Sequence, residues 1–223
     1  MNHGSIALLH ELSDGNGTEQ MPIVIIGCIG PWGTGYKADA QMTPIDAEQH
    51  HGPQAQVFPD AGADLISAFT MTYSAEAIGI VWAARAVQMP VVMSFTVETD
   101  GRLPSGETIG EAINAVDAAT DSAPAYYMIN RAHPSHFAGA LGRQNAGVQR
   151  IRGIRANASR KSHVELDRAT ELDIGNPEEL GMLYRTLRRD FSHFSILGGC
   201  CGTDHRHIKA ICTAGVPAAS GNN

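Results

Sequence analysis

The sequence is short of cysteine, lysine and aromatic residues. It has four cysteines and three lysines in 223 residues, and aromatic residues make up 6% of the chain. Two of the four thiols, Cys200 and Cys201, are neighbours, and a disulfide between neighbours is strained and rare. The cysteines therefore give no disulfide framework. They predict a reducing compartment, the cytoplasm, with thiols free for a metal ion or for catalysis.

Long hydrophobic runs and excess positive charge are also missing. No apolar run approaches the roughly 20 residues that span a bilayer. The N-terminal segment "MNHGSIALLHELSDGNG" lacks the basic and apolar regions of a secretory signal, so neither a membrane segment nor a leader is expected. The formal net charge of −7 gives no electrostatic support to nucleic-acid binding. Hydrophobic residues at 43% and charged residues at 17% are typical of a globular domain.

Apolar segments alternate with helix-like segments along the chain. Strands are predicted over residues 22–30, 64–70, 90–97, 125–130, 153–156 and 193–201, with helices over 43–63, 73–88, 107–120, 176–191 and 203–215. This alternation predicts a parallel sheet. It favours an α/β fold of the (β/α)8 TIM-barrel type, with a doubly wound open sheet as the alternative. One domain is expected over residues 22–214, between a poorly defined N-terminal segment (1–21) and a frayed tail (215–223).

The predicted barrel is incomplete. A full barrel takes roughly 250 residues and eight strands, whereas only about twenty residues precede the first predicted strand. The first strands of the barrel are therefore expected to be missing. An open edge would expose strand backbone and apolar surface, which favours pairing with another chain, such as a second copy of this one.

The most informative stretch is "ILGGCCGTDH", residues 196–205. Neighbouring side chains on a strand point to opposite faces. Cys200 and Cys201 can share one metal ion only where the strand has ended and the backbone bends, and the flanking glycines permit such a bend. A zinc site needs a third protein ligand, for which the end of "AYYMINRAHPSHF" is the natural position. The alternative is a pair of small core residues at a strand end.

Four segments together resemble one family. They are "GCIGPWGTGY", "SFTVETDGRLPSGET", "MINRAHPSHF" and "GGCCGTDHRHIKAI", in this order between residues 22 and 212, and they are similar to the homocysteine S-methyltransferase family. The resemblance implies a (β/α)8 barrel with zinc held by three cysteines at its carboxyl rim. It implies methyl transfer from S-methylmethionine, S-adenosylmethionine or a betaine-like donor to the zinc-bound thiolate of homocysteine, which gives methionine. The implied partners are these small molecules.

The resemblance also assigns residues. Cys200 and Cys201 match two of the zinc ligands, and Asn130 matches the residue before the third ligand and would orient the rim. The third position itself holds Arg131. Arginine cannot ligate zinc because it stays protonated and repels the cation. Zinc is therefore expected to bind weakly or not at all.

Four further residues are weaker candidates. His133 and Cys28 could each replace the third thiol, although His133 is expected to order its own turn and Cys28 to be a buried small residue. Glu98 and Asn157 follow predicted strands and could contact substrate. Glu98 is equally interpretable as a solvated turn residue, and for Asn157 the default interpretation is a residue that caps a turn. The basic residues 150–161 are followed closely by acidic ones, which predicts a mixed, solvated loop.

Two functions from different classes remain open at this stage. One is zinc-dependent methyl transfer to homocysteine. The other is a non-catalytic remnant of the same family with an impaired zinc site, favoured by Arg131 and by the missing strands. A barrel lyase or aldolase is a weaker third hypothesis. It would need a lysine at a strand end, and none of Lys37, Lys161 and Lys209 is so placed.

Overall fold

The computed structural model describes residues 2–142 and 145–215. Strands and helices alternate along this part of the chain. The strands are β1 (Ile26–Ile29), β2 (Leu65–Met71), β3 (Val91–Phe95), β4 (Tyr127–Asn130), β5 (Ile151–Ala156) and β6 (Ile196–Gly199). The helices are α1 (Asn2–Asn16), α2 (Pro44–Asp60), α3 (Ser74–Ala86), α4 (Ile109–Thr120), α5 (Pro134–Phe137), α6 (Ala146–Gln149), α7 (His163–Asp167), α8 (Pro177–Asp190) and α9 (His205–Gly215).

The six strands form one parallel sheet in the order of the sequence. Each strand pairs in parallel with the strand that follows it, from β1 to β6. A doubly wound sheet reverses its strand order at a switch point, so the sequential order rules out that alternative. Sequential parallel strands with intervening helices are the arrangement of a TIM-type barrel. The described residues form an incomplete barrel of this type, and the predicted fold class is confirmed.

The predicted and observed elements agree in the repeated units and differ outside them. Each predicted strand overlaps one observed strand. Helix α1 lies in the N-terminal segment that the sequence predicts to be poorly defined. Its apolar residues follow no clear helical stripe, and among them only Ile6 is buried. The short helices α5, α6 and α7 were not predicted, because they begin at capping side chains rather than showing an apolar period. Most of the predicted frayed tail, residues 216–223, lies outside the described residues.

The core lies between the sheet and the helices. All five residues of β3, the Val91–Phe95 strand near the middle of the sheet, are buried. Within the described residues β1 and β6 each pair on one side only, and the large apolar residues just before β1, Met21, Ile23 and Val24, are exposed. None of the helices in the described ranges is both long and apolar enough to cross a membrane.

Helices α2 and α3 pack closely against each other at Gly79. A Cβ atom at this glycine would lie 2.5 Å from the Ala47 Cβ and 2.6 Å from the Glu48 nitrogen, both in α2. Real atoms do not approach so closely, and the obstacle is partly backbone, which cannot rotate away. The two helices therefore pack at this distance because residue 79 has no side chain.

We expect Gly79→Ala to lower the free energy of unfolding by about 1–3 kcal/mol, since an added methyl group overpacks the interface between α2 and α3. Urea unfolding monitored by circular dichroism measures this change. The matched control is Gly4→Ala in α1, where no atom lies within 4 Å of the added Cβ. There the change should be within about 1 kcal/mol and in the stabilising direction, because alanine favours helix. Equal effects at the two positions would contradict the packing argument.

Candidate functional site

The turn after β6 carries the two neighbouring cysteines. The strand ends at Gly199, where a Cβ atom would lie 2.7 Å from the Thr203 Cβ. Gly202 has a φ of +78°, a conformation that favours glycine. The Cys200 amide donates to the carbonyl oxygen of Ala156 at 2.8 Å, which fixes the start of the turn against β5. The bend predicted from the flanking glycines is therefore present at Gly199 and Gly202.

The two thiols interact with each other. All four cysteines are free, with Cys200 half-buried and Cys201 exposed. A hydrogen bond from the Cys201 thiol lowers the pKa of Cys200 below the value of an ordinary thiol. The positive charge of Arg155 acts in the same direction, and burial opposes it. The same bond raises the pKa of Cys201. The pair therefore holds one thiolate more readily than a single thiol does, and holds a second less readily.

Arg131, in the predicted third-ligand position, directly follows β4. Its backbone has a φ of 59°, which is uncommon for a residue other than glycine. Its guanidinium carbon lies 4.1 Å from the centre of the Tyr36 ring, and its Nε atom is buried without a hydrogen-bond partner. The charge of Arg131 also acts to lower the pKa of Cys201. A fixed positive charge thus lies beside the thiols, where the family resemblance implies a third thiol.

Asn157, the residue after β5, joins the turns on either side of it. Its Nδ2 donates to the Arg131 carbonyl oxygen at 3.0 Å, and its Oδ1 accepts from the Cys201 amide at 3.2 Å. Its own amide donates to the carbonyl oxygen of Ala132 at 3.0 Å. The side chain is buried. Asn157 therefore connects the turn at Arg131 to the turn at Cys201.

Glu98, the other candidate for substrate contact, is bound by a histidine. The buried ring of His163 lies with Nδ1 2.9 Å from Glu98 Oε1 and Nε2 2.9 Å from the Arg131 carbonyl oxygen. Both partners are acceptors, so both bonds form when the ring donates from both nitrogens. The sequence does not predict a role for His163, because the mixed charge of its loop indicates a solvated segment. The Ser162–Glu165 capping box is the local signal that could have placed a short helix there.

The side-chain amide of Asn130 forms hydrogen bonds to residues of neighbouring strands. Its Oδ1 accepts from the Thr70 amide at 2.9 Å and from the Ser94 hydroxyl at 2.7 Å, and its Nδ2 donates to the Thr70 hydroxyl at 2.8 Å. The side chain is 3% exposed. These bonds connect the ends of β2, β3 and β4. That Asn130 orients the rim for substrate stays a prediction.

Neither of the two substitute donors lies with the thiol pair. His133 Nδ1 accepts from the Ser135 amide at 3.2 Å, so it orders its own turn as predicted. Burial, with smaller effects from Arg160 and His136, lowers the pKa of His133 to about 4. Cys28 is exposed, and the prediction that it is buried is wrong. It lies on β1, which among the described residues has a neighbour on one side only.

A cavity of about 290 Å³ opens beside these groups. One part of its wall is apolar, and the rest carries the guanidinium, a thiol, hydroxyls, an amide and two carboxylates. The lining residues are Tyr36, Arg131, Asn157, Ser159, Leu166, Ala169, Thr170, Glu171, Leu172, Asp173, Cys201 and Gly202. The site therefore has room for a small molecule with both polar and aliphatic parts.

The described residues do not fit a zinc ion. Within residues 2–142 and 145–215, no group of three or more His, Cys, Asp or Glu side chains is arranged to hold a metal. A catalytic zinc takes three protein ligands, and two thiols are present with a guanidinium in the third position. That positive charge is also unfavourable for a divalent cation.

An incomplete parallel barrel with a thiol pair at its carboxyl rim defines a TIM-type protein with a rim site built on sulfur. Active sites of this fold lie at that rim. The sequence profile of the homocysteine S-methyltransferases matches residues 1–215. The chain belongs to the homocysteine S-methyltransferase family.

Solved structures with the same fold include the homocysteine methyltransferase MmuM from Escherichia coli. The metallated form of MmuM shares 17% sequence identity with this chain, and the two structures superpose with a TM-score of 0.71. The match covers 93% of this chain and 66% of the MmuM chain. Its oxidized form is 18% identical with a TM-score of 0.70 over the same shares. The apo form is 18% identical, with a TM-score of 0.67, and covers 96% and 74%. This chain thus spans about two thirds of the metallated protein's length. No curated protein matches it.

The hydrogen bond between the thiols makes a testable prediction about pH. Because its pKa is lowered, Cys200 should react with iodoacetamide below about pH 7, where an ordinary thiol is mostly protonated. In Cys201→Ala the donor is lost, so the pKa of Cys200 should rise and the reaction should need a higher pH. Peptide mass spectrometry after timed alkylation measures each cysteine separately. An identical pH profile for Cys200 in both proteins would contradict the interaction.

Proposed function

We propose that this chain transfers a methyl group to a small thiol, homocysteine, at the rim that carries Cys200 and Cys201. Family membership supports the reaction class. The observation that carries the proposal is the thiol pair in a bent turn at the carboxyl rim, beside a cavity of about 290 Å³. Catalytic groups of TIM-type enzymes lie at this end of the strands.

The proposed reaction is a displacement at carbon. The substrate thiol loses its proton to solvent, and the resulting thiolate attacks the methyl carbon of a sulfonium or betaine-like donor. A new sulfur–carbon bond forms while the bond from the methyl group to the donor heteroatom breaks. The electron pair of the broken bond stays on that heteroatom and neutralises its charge. The products are methionine and the demethylated donor.

The residues of the chain would act on the thiol and on its position. An ordinary thiol has a pKa near 8.5 and is mostly protonated at neutral pH. The charges of Arg155 and Arg131 act to lower the pKa of Cys200 and of Cys201 respectively. A substrate thiol in the cavity would lie in the same positive field, which favours its thiolate. Asn157 would keep the two rim turns at a fixed separation, and such positioning accelerates a reaction between bound partners.

The proposal predicts methionine formation that depends on the thiol pair. Purified chain is incubated with L-homocysteine and either S-methylmethionine or S-adenosylmethionine, and methionine is measured by mass spectrometry. We expect the double variant Cys200→Ala/Cys201→Ala to lose about 100-fold in rate, because Cys201 lines the cavity and a small misplacement of bound reactants costs about that much. The matched control is Cys212→Ala, an exposed cysteine in α9, which should keep the wild-type rate.

The variant Arg131→Cys separates the zinc question from the reaction. It places a third thiol at the position that the family resemblance assigns to a ligand. We expect bound zinc to rise to about one ion per chain, measured by elemental analysis, because three thiolates meet the usual ligand count. Folded wild type and Arg131→Cys that both produce no methionine from either donor would contradict the proposal. That result would favour the non-catalytic alternative.

A further inference from the structure

We propose that Arg131 makes the rim cavity a binding site for the carboxylate of a small aliphatic molecule, and that this binding needs no metal ion. The inference goes beyond the proposed function, since it concerns equilibrium binding and holds whether or not a methyl group is transferred. It follows from the position of the guanidinium, its lack of an acidic partner and the composition of the cavity wall.

Arg131 has no acidic partner within residues 2–142 and 145–215. Some other arginines there pair with carboxylates: Arg150 Nε lies 2.9 Å from Asp117 Oδ2, and Arg206 Nη2 lies 2.6 Å from Asp204 Oδ2. Arg131 instead faces the Tyr36 ring, and its Nε is buried without a hydrogen-bond partner. A buried donor without a partner is costly. A carboxylate can satisfy two guanidinium donors at once.

The guanidinium is held in place before any ligand arrives. The Arg131 carbonyl oxygen accepts from Asn157 Nδ2 at 3.0 Å and from His163 Nε2 at 2.9 Å. The Tyr36 ring covers one face of the guanidinium and also contacts the His163 ring, with centres 5.2 Å apart. Asn157 and His163 therefore fix the backbone of Arg131, and Tyr36 fixes its side chain. Such preorganisation lowers the entropic cost of binding.

The rest of the wall sets the class of ligand. Leu166, Ala169 and Leu172 give it an aliphatic part, suited to a short hydrocarbon chain. Two carboxylates also line the cavity. Asp173 is already engaged, because it accepts from the Ser159 hydroxyl at 2.7 Å and lies 3.5 Å from Lys161 Nζ. Glu171 is exposed.

A suitable probe carries a carboxylate, a short aliphatic chain and an ammonium group that offsets the charge of Glu171. L-Norleucine has all three and contains no sulfur, so it cannot bind as a thiol. L-Norleucinamide keeps the chain and the ammonium group and loses only the carboxylate. Comparing the two therefore isolates the group that Arg131 is proposed to bind.

The test measures binding of both compounds by isothermal titration calorimetry, on the full chain in excess EDTA. We expect L-norleucine to bind and L-norleucinamide to bind at least about tenfold more weakly, since a charge-assisted bidentate pair is lost. Arg131→Gln should weaken L-norleucine binding by a similar factor. Arg131→Lys should weaken it less, because the charge remains while the planar fork is lost. The control Arg85→Gln removes an exposed arginine that lies 3.8 Å from Asp121 and should leave binding unchanged.

Three results would overturn the inference: no binding of L-norleucine to the wild-type chain, equal binding of the acid and the amide, or binding lost when EDTA is added. Unchanged affinity in a folded Arg131→Gln protein would overturn it as well. If Arg131→Gln does not fold, the comparison of acid and amide on the wild type and on Arg131→Lys decides the question. A chain that binds L-norleucine but makes no methionine would retain this site and lose only the proposed reaction.

Discussion

The geometry of the rim depends on one buried amide. Asn157 follows β5, the strand that lies between β4 and β6, so its side chain reaches the turns on both sides. It donates to the Arg131 carbonyl oxygen and accepts from the Cys201 amide. Each of these backbone groups lies just beyond a strand end, where no ladder partner remains for it. The Arg131 carbonyl oxygen also accepts from His163 Nε2. The cost of losing Asn157 therefore falls mainly on the Cys201 amide, and leaving a buried amide unpaired costs about 1–3 kcal/mol. A single side chain thus fixes the position of the arginine turn relative to the cysteine turn.

This arrangement separates the shape of the site from its charge. The turn at Arg131 is held through main-chain atoms, which every residue possesses, and the side chain is free to differ without loss of those bonds. A thiol at this position would add a third sulfur to the pair. A guanidinium adds a positive charge instead, and Arg155, whose guanidinium carbon lies 4.7 Å from the centre of the Phe69 ring, adds a second charge near Cys200. Next to the thiol pair, these two positive charges disfavour a divalent ion and favour an anion. One residue therefore changes the preferred ligand while the scaffold is kept.

The sequence predicts the repeated units and the bend at the cysteines well, because both have local causes. Buried parallel strands are continuous apolar runs, and the turn after β6 needs glycine at Gly199 and Gly202 for steric reasons. The family follows from motifs spread over the chain. The contacts that define the site are not local. His163 bonds to Glu98, 65 residues away, and nothing in a loop of mixed charge indicates such a partner. The error at Cys28 has the same origin, because its burial depends on how many neighbours β1 has.

The position of the Arg131 side chain depends on a second side-chain amide, that of Asn130. Thr70 in β2 has a φ of 65°, which costs a β-branched residue roughly 1–2 kcal/mol. Two hydrogen bonds with Asn130 hold Thr70 there, and a third ties Asn130 to Ser94. The Thr70 side chain meets the loop before α2, where a Cβ at Gly35 would lie 2.5 Å from the Thr70 Cγ2. Only a glycine lets the loop pack so closely, and the next residue is Tyr36, whose ring lies over Arg131. The strained backbone at Thr70, held by Asn130, therefore places the ring that holds the guanidinium. Asn157 fixes where the arginine turn lies, and Asn130 fixes, through Thr70 and Tyr36, where its charge points.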